Sequence, residues 1–240
     1  MFTRLLFGIT LYVAVLFSDQ TEQCSAFFPD GIQNNNNSGT ITFNNNSHLI
    51  NSPDGVLDSS NAINDNSGSN VQSCDTVDCS ISGNSSEAIN NYNNFPGNTD
   101  VSLAYQETKY LATGDYKTLT TGSEAVLELS KGDYTFKGDF SIGFKNRIKI
   151  VDIGDGIGVV RIFIKGTAQL RSQTEINASG IPSNVLIYFE KGIEMPSPST
   201  ISAYIYSKQD VSLRNNAEVT GAISANNVIL TSASIVIADN

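Results

Sequence analysis

Pairs of apolar residues six positions apart recur along the second half of the chain. Mostly polar residues separate the two members of a pair, and successive pairs begin 17 to 28 residues apart. Such a spacing is typical of a repeat architecture. The pairs, of which the first is the weakest copy, are Leu119 and Ala125, Ile142 and Ile148, Leu170 and Ile176, Met195 and Ile201, Leu213 and Val219, and Leu230 and Val236.

Short strands lead into these pairs. Residues 161–164, 186–189 and 204–206 alternate around β-branched and aromatic side chains, as a β-strand does. A Lys-Gly step follows such strands at Lys137, Lys165 and Lys191, and Lys208-Gln209 takes its place in the next copy.

Strands of three to five residues cannot bury their inward side chains in a single hairpin, but a stack of them can. A repeat of 17 or 18 residues divides into three faces of about six residues, and each coil then bonds to the next at about 4.8 Å. The sequence therefore predicts an all-β, three-sided parallel β-helix over residues 110–240, right-handed by analogy with the commoner class. Longer copies carry outward loops at 152–158 and 179–184, and Asn pairs at 215–216 and 226–227 suit the corners.

An antiparallel β-sandwich is the alternative fold, because its short strands and frequent turns look similar. It gives no reason for a six-residue separation to persist through successive copies.

Residues 24–109 have a different composition, which is rich in Asn, Ser and Gly with short apolar groups between them. The alternation at 39–43 predicts one exposed strand, and the Asn-rich stretches on either side predict turns. We expect a loop-rich segment with a few strands.

The first residues resemble a signal peptide. Arg4 precedes an apolar run over residues 5–17, which is too short to span the ~30 Å hydrocarbon core of a membrane. We expect residues 1–23 to be removed, with cleavage between 18 and 26, and no membrane span in the mature chain. Export permits disulfides, and the Cys74 and Cys79 pair is a candidate, although two free thiols remain the alternative.

Composition excludes several classes of function. The formal net charge of −10 makes nucleic acid a poor partner. One His and three Cys are too few for a transition-metal cluster, and the sequence implies no cofactor. If Cys24 survives processing, it has no partner within the chain.

Several segments of the sequence resemble the N-terminal part of the MSHA biogenesis protein MshQ and related agglutinin-biogenesis proteins of Gram-negative bacteria. The matching residues lie at 24–33, 73–79, 114–116, 132–134, 160–166, 184–188, 203–206, 211–216 and 219–224. The resemblance covers nearly the whole mature chain. It implies an exported part of a type IV pilus system that serves surface attachment, without enzymatic activity, and it implies that Cys24 stays in the mature chain.

MshQ-like chains continue well past this length, whereas this sequence ends directly after residues 234–239. An open solenoid end is an exposed sheet edge. We therefore expect either a truncated chain or another subunit that covers this end.

Parallel β-helices include polysaccharide lyases and hydrolases, which need acidic residues that meet on one face. The acidic candidates do not recur at one phase of the repeat. They are Asp133, Asp139, Asp152, Asp155, Glu175 and Asp210. A calcium site at the 152–158 loop is less consistent with the spacing than a solvated turn, and the same loop lacks the following helix that a phosphate site needs.

His48 has no nucleophile beside it in a recognisable elbow and is expected to be incidental. Lysines at the coil corners could face an acidic polymer, but we prefer a gatekeeper role that discourages lateral sheet addition.

The sequence thus predicts an exported, non-catalytic structural or adhesive protein of the periplasm, outer surface or extracellular space. Its expected partners are pilus or cell-envelope proteins or a surface glycan. The alternatives are a polysaccharide-active β-helix enzyme and a self-assembling solenoid scaffold.

Overall fold

The computed structural model describes residues 31–35, 38–50, 57–58, 63–66, 97–151 and 160–238. The signal-peptide prediction, the three cysteines Cys24, Cys74 and Cys79, and the loop with Asp152 and Asp155 lie outside these residues. Within them the chain is nearly all β, with a single 3-10 turn at Pro182–Asn184.

The strands stack into three faces, and every ladder between described strands is parallel. One face, which we call the third face, consists of two sheets in line. The first contains β6 (Asp100–Leu103), β9 (Thr118–Thr121), β12 (Phe140–Ile142) and β15 (Ala168–Leu170), and β15 lies next to β18 of the second. The second contains β18 (Ile193–Met195), β20 (Val211–Leu213), β22 (Val228–Leu230), β2 (Ile41–Asn44) and β5 (Ile63–Asn66). Strand numbers follow the chain. The predicted parallel β-helix is confirmed, with about seven turns, and its right-handed winding stays a prediction.

The other two faces share one sheet, because two long strands run through the corner between them. The first face contains β7 (Thr108–Leu111), β10 (Val126–Leu129), β13 (Arg147–Ile150), β16 (Glu175–Ile176), the first halves of β19 (Thr200–Ser207) and β21 (Glu218–Ala225), β23 (Ile235–Ala238) and β3 (His48–Ile50). The second face contains β8 (Gly114–Tyr116), β11 (Gly132–Phe136), β14 (Val160–Ile164), β17 (Val185–Phe189), the second halves of β19 and β21, β1 (Ile32–Asn34) and β4 (Leu57–Asp58).

The residues of the six-residue pairs lie inside the prism and are buried. Met195, Leu213 and Leu230 occupy consecutive rungs of the third face. The matching rungs of the first face hold Ile201, Val219 and Val236.

The weakest copy is out of register by two residues. Leu119 pairs with Phe140, and Leu127, not Ala125, pairs with Ile148. Thr121 stands where later copies have an aliphatic residue, and its hydroxyl accepts a hydrogen bond from the Gly143 amide at 2.9 Å. Because Thr121 is polar, the apolar pattern of this coil does not indicate its correct register with the next coil.

The corner between the third and first faces has a left-handed backbone in most coils. The residues concerned have φ between 55° and 61°, a region that costs a side-chain-bearing residue energy. They are Asn46, Gln106, Glu124, Lys145, Gln173, Asn216 and Ala233. The next residue turns into the core and is small or short and polar, as at Ala125, Asn146, Thr174, Ala217, Ser234 and Ser47.

The N-terminal strands continue the solenoid beyond its C-terminal coil. β3 pairs with β23, and β1 with β21. β2 lies between β22 and β5. The expectation of an open sheet edge at the C-terminal coil is therefore wrong, because the edge of β23 is paired with β3 within the chain. The predicted exposed strand at 39–43 is also wrong in its exposure, since Ile41 and Phe43 are fully buried.

Asn side chains fasten this segment to the preceding coils. The Asn34 amide donates to the Asn226 carbonyl at 2.8 Å, and the Thr40 amide donates to Oδ1 of Asn227 at 2.9 Å. Asn227 in turn donates to Asp210 at 2.7 Å. The Asn-rich composition thus supplies short donors and acceptors where backbone pairing ends.

Candidate binding surface

The second face carries an aromatic column on its outer side, which we call the outer aromatic column: Phe163, Tyr188 and Tyr206. Alternation along the strand puts it there, because Ile162 and Ile164 of β14 point into the core and Phe163 between them points outward. Leu186, Tyr204 and Ala222, which are register partners of one another, pack beside the column.

The rings of the column lie on consecutive rungs. The centroids of Phe163 and Tyr188 are 6.0 Å apart, and Tyr188 and Tyr206 stack at 5.6 Å with an angle of 9° between their planes. Although they lie outside the prism, these three side chains are only 1 to 3% exposed. The column is therefore a covered surface in the folded chain.

A charged edge borders the column at the corner to the third face. The Tyr188 hydroxyl donates to the Glu190 carboxylate, which also accepts from Lys208 at 2.9 Å. Burial, helped by the Glu190 charge, raises the pKa of Tyr188 well above its ordinary value, and burial raises the pKa of Tyr206. Burial alone would raise the pKa of Glu190, but the hydrogen bonds from Tyr188 and Lys208 outweigh it and lower that pKa.

The predicted corner lysines line up along this edge, with one interruption. The backbone amides of Lys137, Lys165 and Lys208 each donate to the coil before, but Glu190 takes the equivalent place in the intervening coil. The glycine after the lysine is required by close backbone approach, since a Cβ on Gly166 would lie 2.1 Å from the Gly138 carbonyl oxygen.

The acidic candidates do not meet. Asp133 forms a bidentate ion pair with Arg161 on the second face. The Arg161 Nε and Nη2 atoms donate to its two carboxylate oxygens at 2.6 and 2.8 Å. Glu175 pairs with Arg147 on the first face.

Two further acidic candidates lie near the third face, on separate coils. Asp139 accepts the Thr167 amide, and Asp210 accepts from Asn226 and Asn227. Three rungs, roughly 14 Å along the axis, separate Asp139 from Asp210.

His48 opens β3 opposite Ile235 and is half-buried. Among the described residues, no three His, Cys, Asp or Glu side chains are placed to hold a metal ion. The same residues include no helix of the length and hydrophobicity that a membrane crossing requires.

The outer aromatic column was not predicted from the sequence. A signal was present, because an aromatic residue recurs at the same phase in Phe163, Tyr188 and Tyr206. Burial of an outward position, however, depends on what packs over it, and strand alternation does not report this.

Comparison with known proteins gives one family. No curated protein and no solved structure matches the chain significantly. A family model matches residues 60–239, which include the last N-terminal strand and every coil from β6 onward. The chain belongs to the family described as Domain of unknown function (DUF7305).

Proposed function

We propose that this chain is an exported, non-catalytic protein with a structural or adhesive role in surface attachment, within an MSHA-like type IV pilus system. The apolar run over residues 5–17 and the resemblance to agglutinin-biogenesis proteins motivate the export and pilus parts of the proposal. The structural part of the proposal is supported by the ion pairs that charged side chains form between neighbouring coils.

Ion pairs in the described coils tie one coil to its neighbour. Asp133 and Arg161 are register partners on adjacent strands, as are Arg147 and Glu175. The others are Asp100 with Lys117, Glu190 with Lys208, and Glu194 with Arg214. An acidic active site needs carboxylates that converge on a substrate, whereas these carboxylates are directed at basic side chains of neighbouring coils. This arrangement favours a rod that is braced along its length over a polysaccharide-active enzyme.

The third face offers a polar surface to a partner. Its central outer column holds short hydroxyl and amide side chains on successive rungs, at Ser102, Thr120, Ser141 and Gln169. Ladder spacing holds these groups at about 4.8 Å intervals on a rigid surface. Such a surface suits a surface glycan or a pilus or cell-envelope protein.

The test uses the full-length chain expressed in a Gram-negative host. We expect a processed chain in the periplasmic, surface or culture fraction, and beads coated with the purified protein should bind cell surfaces or immobilised glycans. A solenoid with Ser102, Thr120 and Gln169 changed to Lys is the matched variant for the third face. An unprocessed chain in the cytoplasm, or turnover of a polysaccharide by the purified protein, would contradict the proposal.

A further inference from the structure

Exposed aromatic side chains are concentrated in the first three coils of the solenoid, which begin with β6, β9 and β12. Among the described residues, Tyr105, Tyr110 and Phe144 are 63, 53 and 40% exposed. The other large apolar side chains with similar exposure, Ile50 and Ile181, belong to later coils. Single exposed apolar residues are common on protein surfaces, but a group of rings in one place indicates an interaction site.

Two of these rings occupy the same corner of the solenoid, between the third and first faces. The Gln106 amide donates to the Ser123 carbonyl, and the Glu124 amide donates to the Phe144 carbonyl. Residues 105, 123 and 144 therefore follow one another on three successive coils, and we call them the aromatic corner. Two rung steps, roughly 10 Å along the axis, separate the ring of Tyr105 from that of Phe144.

Hydrogen-bonding side chains lie between and beside the two rings. The Glu124 carboxylate, on the middle coil, accepts from the Gln106 amide group at 2.7 Å and from the Tyr105 hydroxyl at 3.4 Å. The Lys145 ammonium lies 5.4 Å from the centre of the Phe144 ring. A carboxylate accepts about four hydrogen bonds and an ammonium donates three, so both groups have capacity for a polar ligand.

The polar outer column of the third face borders the aromatic corner. Ser102, Thr120 and Ser141 are register partners on the same three coils. Each of them comes three residues before a member of the aromatic corner. The rings and the hydroxyl groups therefore belong to one surface that extends over three coils.

The chemistry of this surface favours a sugar chain over a protein. Two rings with polar groups between them do not make the continuous apolar centre that a protein interface needs. A hexopyranose has an apolar C–H face that stacks on an aromatic ring, and its equatorial hydroxyl groups hydrogen-bond to carboxylates, amides and hydroxyls. The straight row of rungs suits an extended, β-linked chain, and the net charge of −10 disfavours an acidic one.

We propose that the aromatic corner binds a neutral, β-linked polysaccharide, with Tyr105 and Phe144 as stacking platforms and Glu124 as a hydrogen-bond acceptor between them. The inference rests on the proposed function, whose glycan partner it narrows to one class.

Titration calorimetry of the purified full-length chain tests the site. The ligands are the soluble hexamers of β-1,4-linked glucose and of β-1,4-linked N-acetylglucosamine. At least one hexamer binds the unaltered protein, and Tyr105→Ala and Phe144→Ala each weaken this binding by about tenfold. Tyr105→Phe keeps the ring and retains most of the affinity. The control is Ile181→Ala, a 62% exposed apolar residue away from the corner, which leaves the affinity unchanged.

Three results would overturn the inference. They are no binding of either hexamer, equal weakening by Ile181→Ala, and self-association that rises with protein concentration and disappears in Tyr105→Ala, which would assign the corner to a second copy. If coated beads still attach to cells while neither hexamer binds, this site is wrong and the proposed function stands. If a hexamer binds but the chain stays unprocessed in the cytoplasm, the proposed function fails and the site stands.

Discussion

Ala238, at the end of the last strand, lies against Gly31, the first described residue of the chain. A Cβ built on Gly31 would come within 2.9 Å of the Ala238 Cβ. The Gly31 carbonyl also accepts the Ile223 amide at 2.9 Å. The N-terminal strands therefore take the position of a further coil beyond β21 and β23.

Gly39→Ala should loosen this junction. A Cβ at Gly39 would lie 1.8 Å from the Asn226 carbonyl oxygen, so the backbone of the N-terminal segment must move away. We expect a loss of about 1–3 kcal/mol in the free energy of unfolding, and faster hydrogen exchange in β22 and β23. Thr42→Ala on the outer side of β2 is the control and should leave both unchanged. Unaltered exchange in β22 and β23 of the Gly39→Ala protein would show that the junction is not held there.

The sequence was sufficient for the repeating part of the fold but not for its closure. The spacing between Leu213 and Val219 reports two inward positions of one coil, because all the contacts concerned are local to the repeat. The partner of Ile32 is Ile223, far away along the chain, and no pattern around Ile32 encodes that choice. The left-handed corners at Gln106 and Lys145 could not be predicted either, because the residue types that indicate such a backbone are Gly and Asn.

Leu213→Ala should cost about 2–5 kcal/mol of unfolding free energy, since Leu213 is fully buried between Met195 and Leu230. The matched control is Ile229→Ala, an outward residue on the next strand, with an expected loss below about 1 kcal/mol. Urea denaturation of the two variants gives both values. Equal losses would mean that the inward and outward assignments are wrong.

Tyr188→Phe should raise the pKa of Glu190. In the native chain the hydrogen bonds from Tyr188 and Lys208 hold this pKa below its ordinary value. The folded pKa is the lower one, so ionised Glu190 stabilises the fold above the ordinary glutamate pKa, and this contribution is lost as the pH falls through the folded pKa.

An NMR titration of the Glu190 side-chain carboxyl carbon measures the effect. Its midpoint should move toward the ordinary glutamate value in the Tyr188→Phe protein and stay in place in Tyr110→Phe, whose hydroxyl contacts Ser130. An unchanged midpoint in Tyr188→Phe would mean that the tyrosine hydroxyl does not hold the carboxylate.

Ala233→Gly should stabilise the protein by roughly 0.5–1 kcal/mol. Ala233 has φ of 60°, where glycine avoids the clash of Cβ with the backbone. Ala217→Gly at the preceding corner should do the opposite, because Ala217 is fully buried and its methyl group fills the core. The midpoints of thermal unfolding should therefore shift in opposite directions, and shifts of the same sign would exclude this account of the corners.

Reduction of the proposed Cys74 and Cys79 disulfide should leave the solenoid folded. The ladders of the coils and the buried core between β6 and β23 hold together without any cysteine among the described residues. Far-ultraviolet circular dichroism should therefore keep its β-sheet signal in reducing agent, while hydrogen exchange accelerates only in residues 67–96. Thiol labelling before and after reduction establishes whether the bond was present, with Cys24→Ser as the variant that separates the third cysteine. Loss of the whole β-sheet signal on reduction would mean that the coils depend on the disulfide for their stability, and that the ladders and the core do not suffice.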